Sequence, residues 1–223
     1  MSNSGLKRFV EVAQSQRQAS KIQRKDEGPV PPRASSFSKS PQTHKTNLPE
    51  AMVLMTPGMH LPPLSAPAYV NGQILPSVSL SSLSNEGLNW TCLVFYAHDF
   101  DPKNGGSVIS ECYLSHRWFS FIGCSIVLCS TDSCYAHLAW MKALKALGTI
   151  AFYPVPDIPM LGDTSHVVAR ACGMLNTSEG VARTGLILVD PALSVHKVIV
   201  SDDIRAGLFT AKCYLTVTTR HGF

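Results

Sequence analysis

The chain has 223 residues, 45% of them apolar and 15% charged, which suits one packed domain with a tail and excludes a wholly disordered chain. No apolar run reaches the roughly 18 residues of a membrane-crossing helix, and the first thirty residues hold no apolar targeting core. The net charge of +4 is unevenly placed: residues 1–47 hold nine Lys or Arg against three acids, while residues 48–223 hold ten against twelve, so nucleic acid is excluded as the main body's principal ligand.

In chain order, Leu6, Phe9, Val10 and Ala13 recur at helical spacing among Lys7, Arg8, Arg17, Lys21, Arg24 and Lys25. This basic segment reads as a solvated tail. A mitochondrial leader, opposed by Glu11, Asp26 and Glu27, and a docking arm for an acidic partner surface are the alternatives. Residues 26–67 carry Pro29-Val-Pro-Pro32, Ser35-Ser-Phe-Ser38 and Pro62-Pro-Leu-Ser65 without any apolar period. Residues 1–65 are therefore expected to form a basic, Pro/Ser-rich disordered arm, and residues 66–223 the folded domain.

Beyond it, Leu93-Val-Phe-Tyr96 is a short apolar run suited to a buried strand. Residues 107–121 read as a helix, and Cys124-Ser-Ile-Val-Leu-Cys129 as a second buried strand. Leu138, Met141, Leu144 and Leu147 predict a helix over Tyr135–Leu147, with Gly148 at its C-terminal cap. Val167–Ala171 reads as a short helix ending at Gly173, Gly185–Asp190 as a third buried strand, and Pro191-Ala-Leu-Ser194 as a turn into a hairpin partner, His196–Val200. Residues 208–219 suggest a last helix, against the β-branched run Thr216-Val-Thr-Thr219. The alternation predicts an α/β layer fold with a central mixed sheet flanked by helices.

The seven cysteines, at 92, 112, 124, 129, 134, 172 and 213, are odd in number and irregular in spacing, unlike a disulfide framework. No CxxC pair and no set at zinc-ligand spacing exists, so no metal or cofactor is implied. Together these point to a reducing compartment, cytoplasmic or alternatively mitochondrial.

Four blocks, in order, resemble the typical two-cysteine (AhpC/TSA) branch of the peroxiredoxins. They are Leu93-Val-Phe-Tyr-Ala-His-Asp-Phe100, Ser130-Thr-Asp-Ser-Cys-Tyr-Ala-His-Leu-Ala-Trp140, Ile158-Pro-Met-Leu-Gly-Asp163 with Ala169-Arg-Ala-Cys-Gly-Met-Leu175, and Glu179-Gly-Val-Ala-Arg-Thr-Gly-Leu-Ile-Leu-Val-Asp190 with Val200-Ser-Asp-Asp-Ile-Arg-Ala-Gly207. The resemblance covers roughly residues 66–215 and implies a thioredoxin-like fold and thioredoxin-dependent hydroperoxide reduction, part of redox homeostasis and antioxidant defence. That reaction needs a thiolate at neutral pH. The family forms it with a Pro-x-x-x-Thr-x-x-Cys motif at the start of a helix and an Arg from a distant strand.

Here the resemblance puts Ala97 at the Pro position, Asp101 at the Thr position, Asn104 (or Gly105, if one residue is inserted) at the peroxidatic Cys position and Thr184 at the Arg position. Arg183 is one residue off, on the opposite face of a strand. A carboxylate at 101 raises the pKa of a nearby thiol rather than lowering it. No residue takes the place of the resolving cysteine, since Cys213 falls within the last helix. The expected function is therefore a peroxiredoxin-like pseudoenzyme acting by binding or assembly. The alternative is a divergent peroxidase using a displaced thiol such as Cys112, with His116 four residues on, and with thioredoxin as partner only if active. The resemblance also implies a subunit contact involving His137 and Trp140, and a homodimer through the edge strand 196–200 with Val198, Val200 and Asp202 at the interface.

Overall fold

Seven strands lie side by side in one mixed sheet, and their order explains which of them read as continuous apolar runs. The computed structural model describes residues 55–83, 89–148 and 158–220, with side chains through Thr218. All belong to one packed unit, Met52–Phe223. The expected basic arm falls outside the described residues up to Met55.

The strands are β1 (Ser65–Val70), β2 (Gln73–Ser79), β3 (Trp90–Phe95), β4 (Cys124–Ser130), β5 (Met160–Gly162), β8 (Gly185–Val189) and β9 (Val195–Val200), in the order β2-β1-β5-β4-β3-β8-β9. A two-stranded ribbon of β6 (Leu175–Asn176) and β7 (Val181–Ala182) stands apart. The pairs β3–β4 and β4–β5 are parallel; β1–β2, β1–β5, β3–β8 and β8–β9 are antiparallel. Strands β3, β4 and β8 sit in the middle and are covered on both faces, so nearly every residue in them is apolar and buried.

The hairpin β1–β2 went unread in the sequence. Its turn is Asn71-Gly72, both with positive φ (52° and 79°), the backbone that a two-residue hairpin loop needs. Pro76 is tolerated because β2 is an edge strand. The core also begins upstream of residue 66, with Met55, Leu61 and Leu64 buried in it. Residues 58–61 run beside the start of β9: Val195 N donates to Met59 O, Gly58 N to Val195 O and Leu61 N to Leu193 O.

Helix α1 (Leu80–Leu83) is a single turn, and α2 (Gly105–Phe121) is the crossover between β3 and β4. Helix α3 (Cys134–Ala146) starts where Ser133 Oγ accepts from Ala136 N and ends at Leu147 with Gly148 at φ 63°. The short α4 (Val167–Ala171) is pinned by Asp163, whose Oδ2 accepts from Ala169 N at 2.7 Å.

The last helix, α5 (Ile204–Arg220), is longer than its threonines suggest. The hydroxyls of Thr210, Thr216 and Thr218 donate back to the carbonyls of Ala206, Lys212 and Tyr214, so the polar atoms of the β-branched residues are satisfied within the helix. Ile204, Leu208, Ala211 and Leu215 bury its inner face, and His196 ties it to the hairpin, with Nδ1 2.9 Å from Tyr214 Oη and Nε2 3.0 Å from Asp190 Oδ2.

Candidate active site

The parallel strands β3 and β4 point their C-terminal ends at one edge, where the loop from Tyr96 to Asn104 leads into α2 and the residues around Asp132 lead into α3. Such an edge is where open α/β sheets place their ligands.

The inner half of this loop is a closed hydrogen-bonded network. Asp99 is buried, and its N–H donates to Asp132 Oδ2 at 2.7 Å. Its carboxylate accepts from Tyr96 Oη at 2.7 Å and lies 2.7 Å from Nδ1 of the fully buried His137. Nε2 of His137 faces Leu161 O at 3.1 Å. A carbonyl only accepts, so Nε2 carries a hydrogen. Burial, and after it the Asp99 charge, pushes the Tyr96 hydroxyl well above its ordinary pKa, keeping it a donor. Phe100, at φ 57°, closes the loop by setting its ring edge-on against the buried Trp140 at 4.7 Å. His137 and Trp140, expected at a subunit contact, are thus both inside the chain. Their side chains hold this loop.

The outer half is built around Asp101. Its Oδ1 accepts from Lys103 N at 2.9 Å and Asn104 N at 3.2 Å, its Oδ2 accepts from Asn104 Nδ2 at 2.8 Å, and its carbonyl accepts from Gly106 N at 2.7 Å. Partial burial works against the charge. The hydrogen bonds from the backbones of Asn104 and Lys103 and from the Asn104 amide outweigh it and, with the nearby His98, hold the carboxyl below its usual range. Asn104 is the N-terminal cap residue of α2, exposed, with its own side chain turned back onto Asp101.

The two candidate positions for a peroxidatic thiol are therefore not equivalent. A Cβ at Gly105 would collide with the backbone carbonyl of His98, so only position 104 has room for a side chain. Thr184 is half-buried just before β8, where its carbonyl accepts from Ser201 N, and Arg183 is exposed beside it; both lie in the link between β7 and β8 and not on a strand.

The displaced thiol named as the alternative lies in the core. Cys112 is fully buried on the inner face of α2, and burial, followed by Cys92 and Glu111, pushes its thiol well above the ordinary value. His116 is half-buried one turn on. Burial likewise raises Cys92 and Cys172, each to about 12, and also Cys124 and Cys129. Cys134 is buried at the start of α3, and Cys213 alone of the seven is exposed. Among the described residues no group of three His, Cys, Asp or Glu gathers to hold a metal, and no helix is long and apolar enough to cross a membrane. On the edge strand Val198 is half-buried, Val200 is 46% exposed and Asp202 beyond it is exposed.

Sequence reading missed Asp99, Tyr96 and Asp132 as a site. Their signal, a Tyr-x-x-Asp after a buried strand, is local, but the partner that gives it meaning lies 38 residues downstream at His137.

Known proteins agree with this architecture. The sequence model of the AhpC/TSA family matches residues 57–198. The thioredoxin peroxidase of Fasciola hepatica is 32% identical over 152 residues, 67% of this chain and 73% of that protein. Peroxiredoxin prdx-2 of Caenorhabditis elegans is 30% identical over 145 residues, 65% of this chain and 68% of that protein. The fold is shared with Enterococcus faecalis AhpC (TM-score 0.61, 23% identity, 75% of this chain and 96% of that one). It is shared too with the reduced 2-Cys peroxiredoxin of Plasmodium vivax (TM-score 0.62, 23% identity, 74% and 96%). With its mixed sheet, its β3–α2 loop and a family match running from residue 57 to residue 198, the chain belongs to the AhpC/TSA family, the peroxiredoxins.

Proposed function

We propose that this peroxiredoxin is a pseudoenzyme, acting by binding or assembly in the cytoplasm. The first turn of α2 carries this reading. Where the reaction needs a thiolate, Asn104 stands bound to the Asp101 carboxylate, Gly105 has no room for a side chain, and Cys112 lies sealed in the core. A thiolate raised beside Asp101 would face a negative charge at close range, which disfavours it. The test is to add a stoichiometric amount of hydrogen peroxide to the reduced full-length protein and follow intact mass over seconds. Oxidation no faster than that of an ordinary exposed cysteine is expected. A fast gain of one oxygen, or a rapid disulfide, would establish a working thiol, and peptide mapping would name it.

The same reading includes a homodimer paired along β9, whose outer edge has no strand partner beyond Val195 among the described residues. An open edge invites pairing, and charge on it blocks pairing. Val200→Lys is expected to turn a dimeric native mass into a monomeric one. A monomeric parent, or a dimer indifferent to the lysine, removes this part of the proposal.

A further inference from the structure

Two rows of exposed apolar side chains are used by neither the core nor the site. On α2, Leu114, Trp118 and Phe121 fall at i, i+4 and i+7; on α5, Phe209, Cys213 and Val217 fall at i, i+4 and i+8. Each set therefore lies along one side of its helix. Leu114 is 54% exposed, Phe121 88%, Phe209 67% and Val217 59%, while Trp118 is half-buried and Cys213 exposed. The opposite sides of both helices are committed to the core through Cys112 and Phe119, and through Leu208 and Leu215.

The two helices run in the same direction. Glu111 Oε1 meets Arg205 Nη2 at 2.6 Å, and seven residues further along each helix Lys212 Nζ lies 5.8 Å from the Trp118 ring. Equal steps on both helices mean that the two rows flank one groove, with Trp118 on the α2 side meeting Lys212 at its floor and axes about 8–10 Å apart. A single exposed apolar residue is ordinary; two aligned rows make a patch of the kind that marks an interaction surface.

Charge selects the occupant. From 112 to 121 and from 206 to 218 the sequence holds Arg117, Lys212 and no Asp or Glu. Arg117 is exposed, and the flanking carboxylate of Glu111 is engaged by Arg205. The chain's own residues 1–47 are strongly basic, and a second copy would bring the same cations to the groove. Residues 48–223 carry more acids than bases, which disfavours an anionic bilayer as the target. We propose that the α2–α5 groove docks an amphipathic helix of another protein. Its apolar residues at i, i+3, i+4 and i+7 press between the two rows, and Asp or Glu on its flanks face Arg117 and Lys212. This deepens the reading of the protein as one that acts by binding.

The probe is a synthetic amphipathic helical peptide with a leucine face and glutamate flanks, compared with the same peptide carrying lysine flanks. Because Cys213 is the exposed cysteine, its alkylation rate, read by intact mass on the full chain, reports occupancy of the groove. The glutamate peptide is expected to slow alkylation about tenfold and to lose that effect in high salt, while the lysine peptide does not slow it. Phe121→Ser with Phe209→Ser is expected to abolish protection, and Arg117→Glu with Lys212→Glu to transfer it to the lysine peptide, with unchanged circular dichroism in each case. No protection, or equal protection by both peptides, overturns the proposal. So does protection that grows with protein concentration alone, which means a second copy, or slow alkylation at every dilution without peptide, which means the chain's own arm. Peroxide turnover would end the pseudoenzyme reading without touching this measurement, and absent docking would leave a silent peroxide site standing, so the two failures are distinct.

Discussion

The two halves of the loop between β3 and α2 are held by different physics. Tyr96 and Asp99 are buried, bond to each other, and reach distant elements: His137 on α3, through it Leu161 on β5, and Asp132 before α3. From Asp101 to Asn104 the partners are five residues away at most, and the side chains reach solvent. The first half is a scaffold on which three elements depend. The second is a self-contained turn that can change its residues at little structural cost. The position proposed for a peroxidatic thiol thus falls in the part of the site that the fold least constrains.

That contrast predicts effects of different size. The largest is expected at His137. His137→Ala leaves the Asp99 carboxylate buried with the Tyr96 hydroxyl as its main donor, and removing one partner of a buried pair costs on the order of 3–5 kcal/mol. Denaturant unfolding measures it, and a loss below about 1 kcal/mol would mean that the network is not the scaffold described.

Next comes the thiol that can be rebuilt at position 104. In Asn104→Cys alone, Asp101 still holds its charge beside the new sulfur. In Asn104→Cys with Asp101→Thr it does not, and the pKa read from alkylation rate against pH is expected about one unit lower. Identical pH profiles would show that Asp101 has no grip on the helix start.

The smallest effect belongs to Asp101 by itself. Its lowered carboxyl pKa means that its contribution is present above the ordinary carboxylate range and is lost as pH falls through the lowered folded value. Asp101→Asn is therefore expected to be less stable than the parent near neutrality by about 0.5–1 kcal/mol, with the gap closing below about pH 4. A gap that widens in acid contradicts the hydrogen bonding described here.

The fold was largely legible because its central strands are almost wholly apolar and α3 carries its own caps. Leu93–Phe95, Ile126–Cys129 and Leu186–Val189 read as buried strands from the sequence, and the structure buries them. What escaped was of two kinds. The hairpin at Asn71-Gly72 has a sharp local signal, but it follows a proline-rich stretch whose composition reads as an arm, and that composition also hid Met55, Leu61 and Leu64 in the core. The network around Asp99 had only the local Tyr-x-x-Asp signal, which means nothing without His137. Its partners come from loops and helices that the sheet order brings together, and periodicity reports only which face a residue occupies. Likewise, the threonines of α5 argue against a helix until their hydroxyls are seen to bond within it.

The short stretch from Gly58 to Leu61 gives the open edge a terminus. By occupying the outer hydrogen-bonding groups of Leu193 and Val195, it leaves only Lys197 to Val200 for any strand that arrives from outside. Four residues allow one brief ladder in one register, with no room to slide backwards along β9. An edge blocked in this way tolerates a single tidy pairing while denying a template to the endless stacking of strands that unguarded sheets invite.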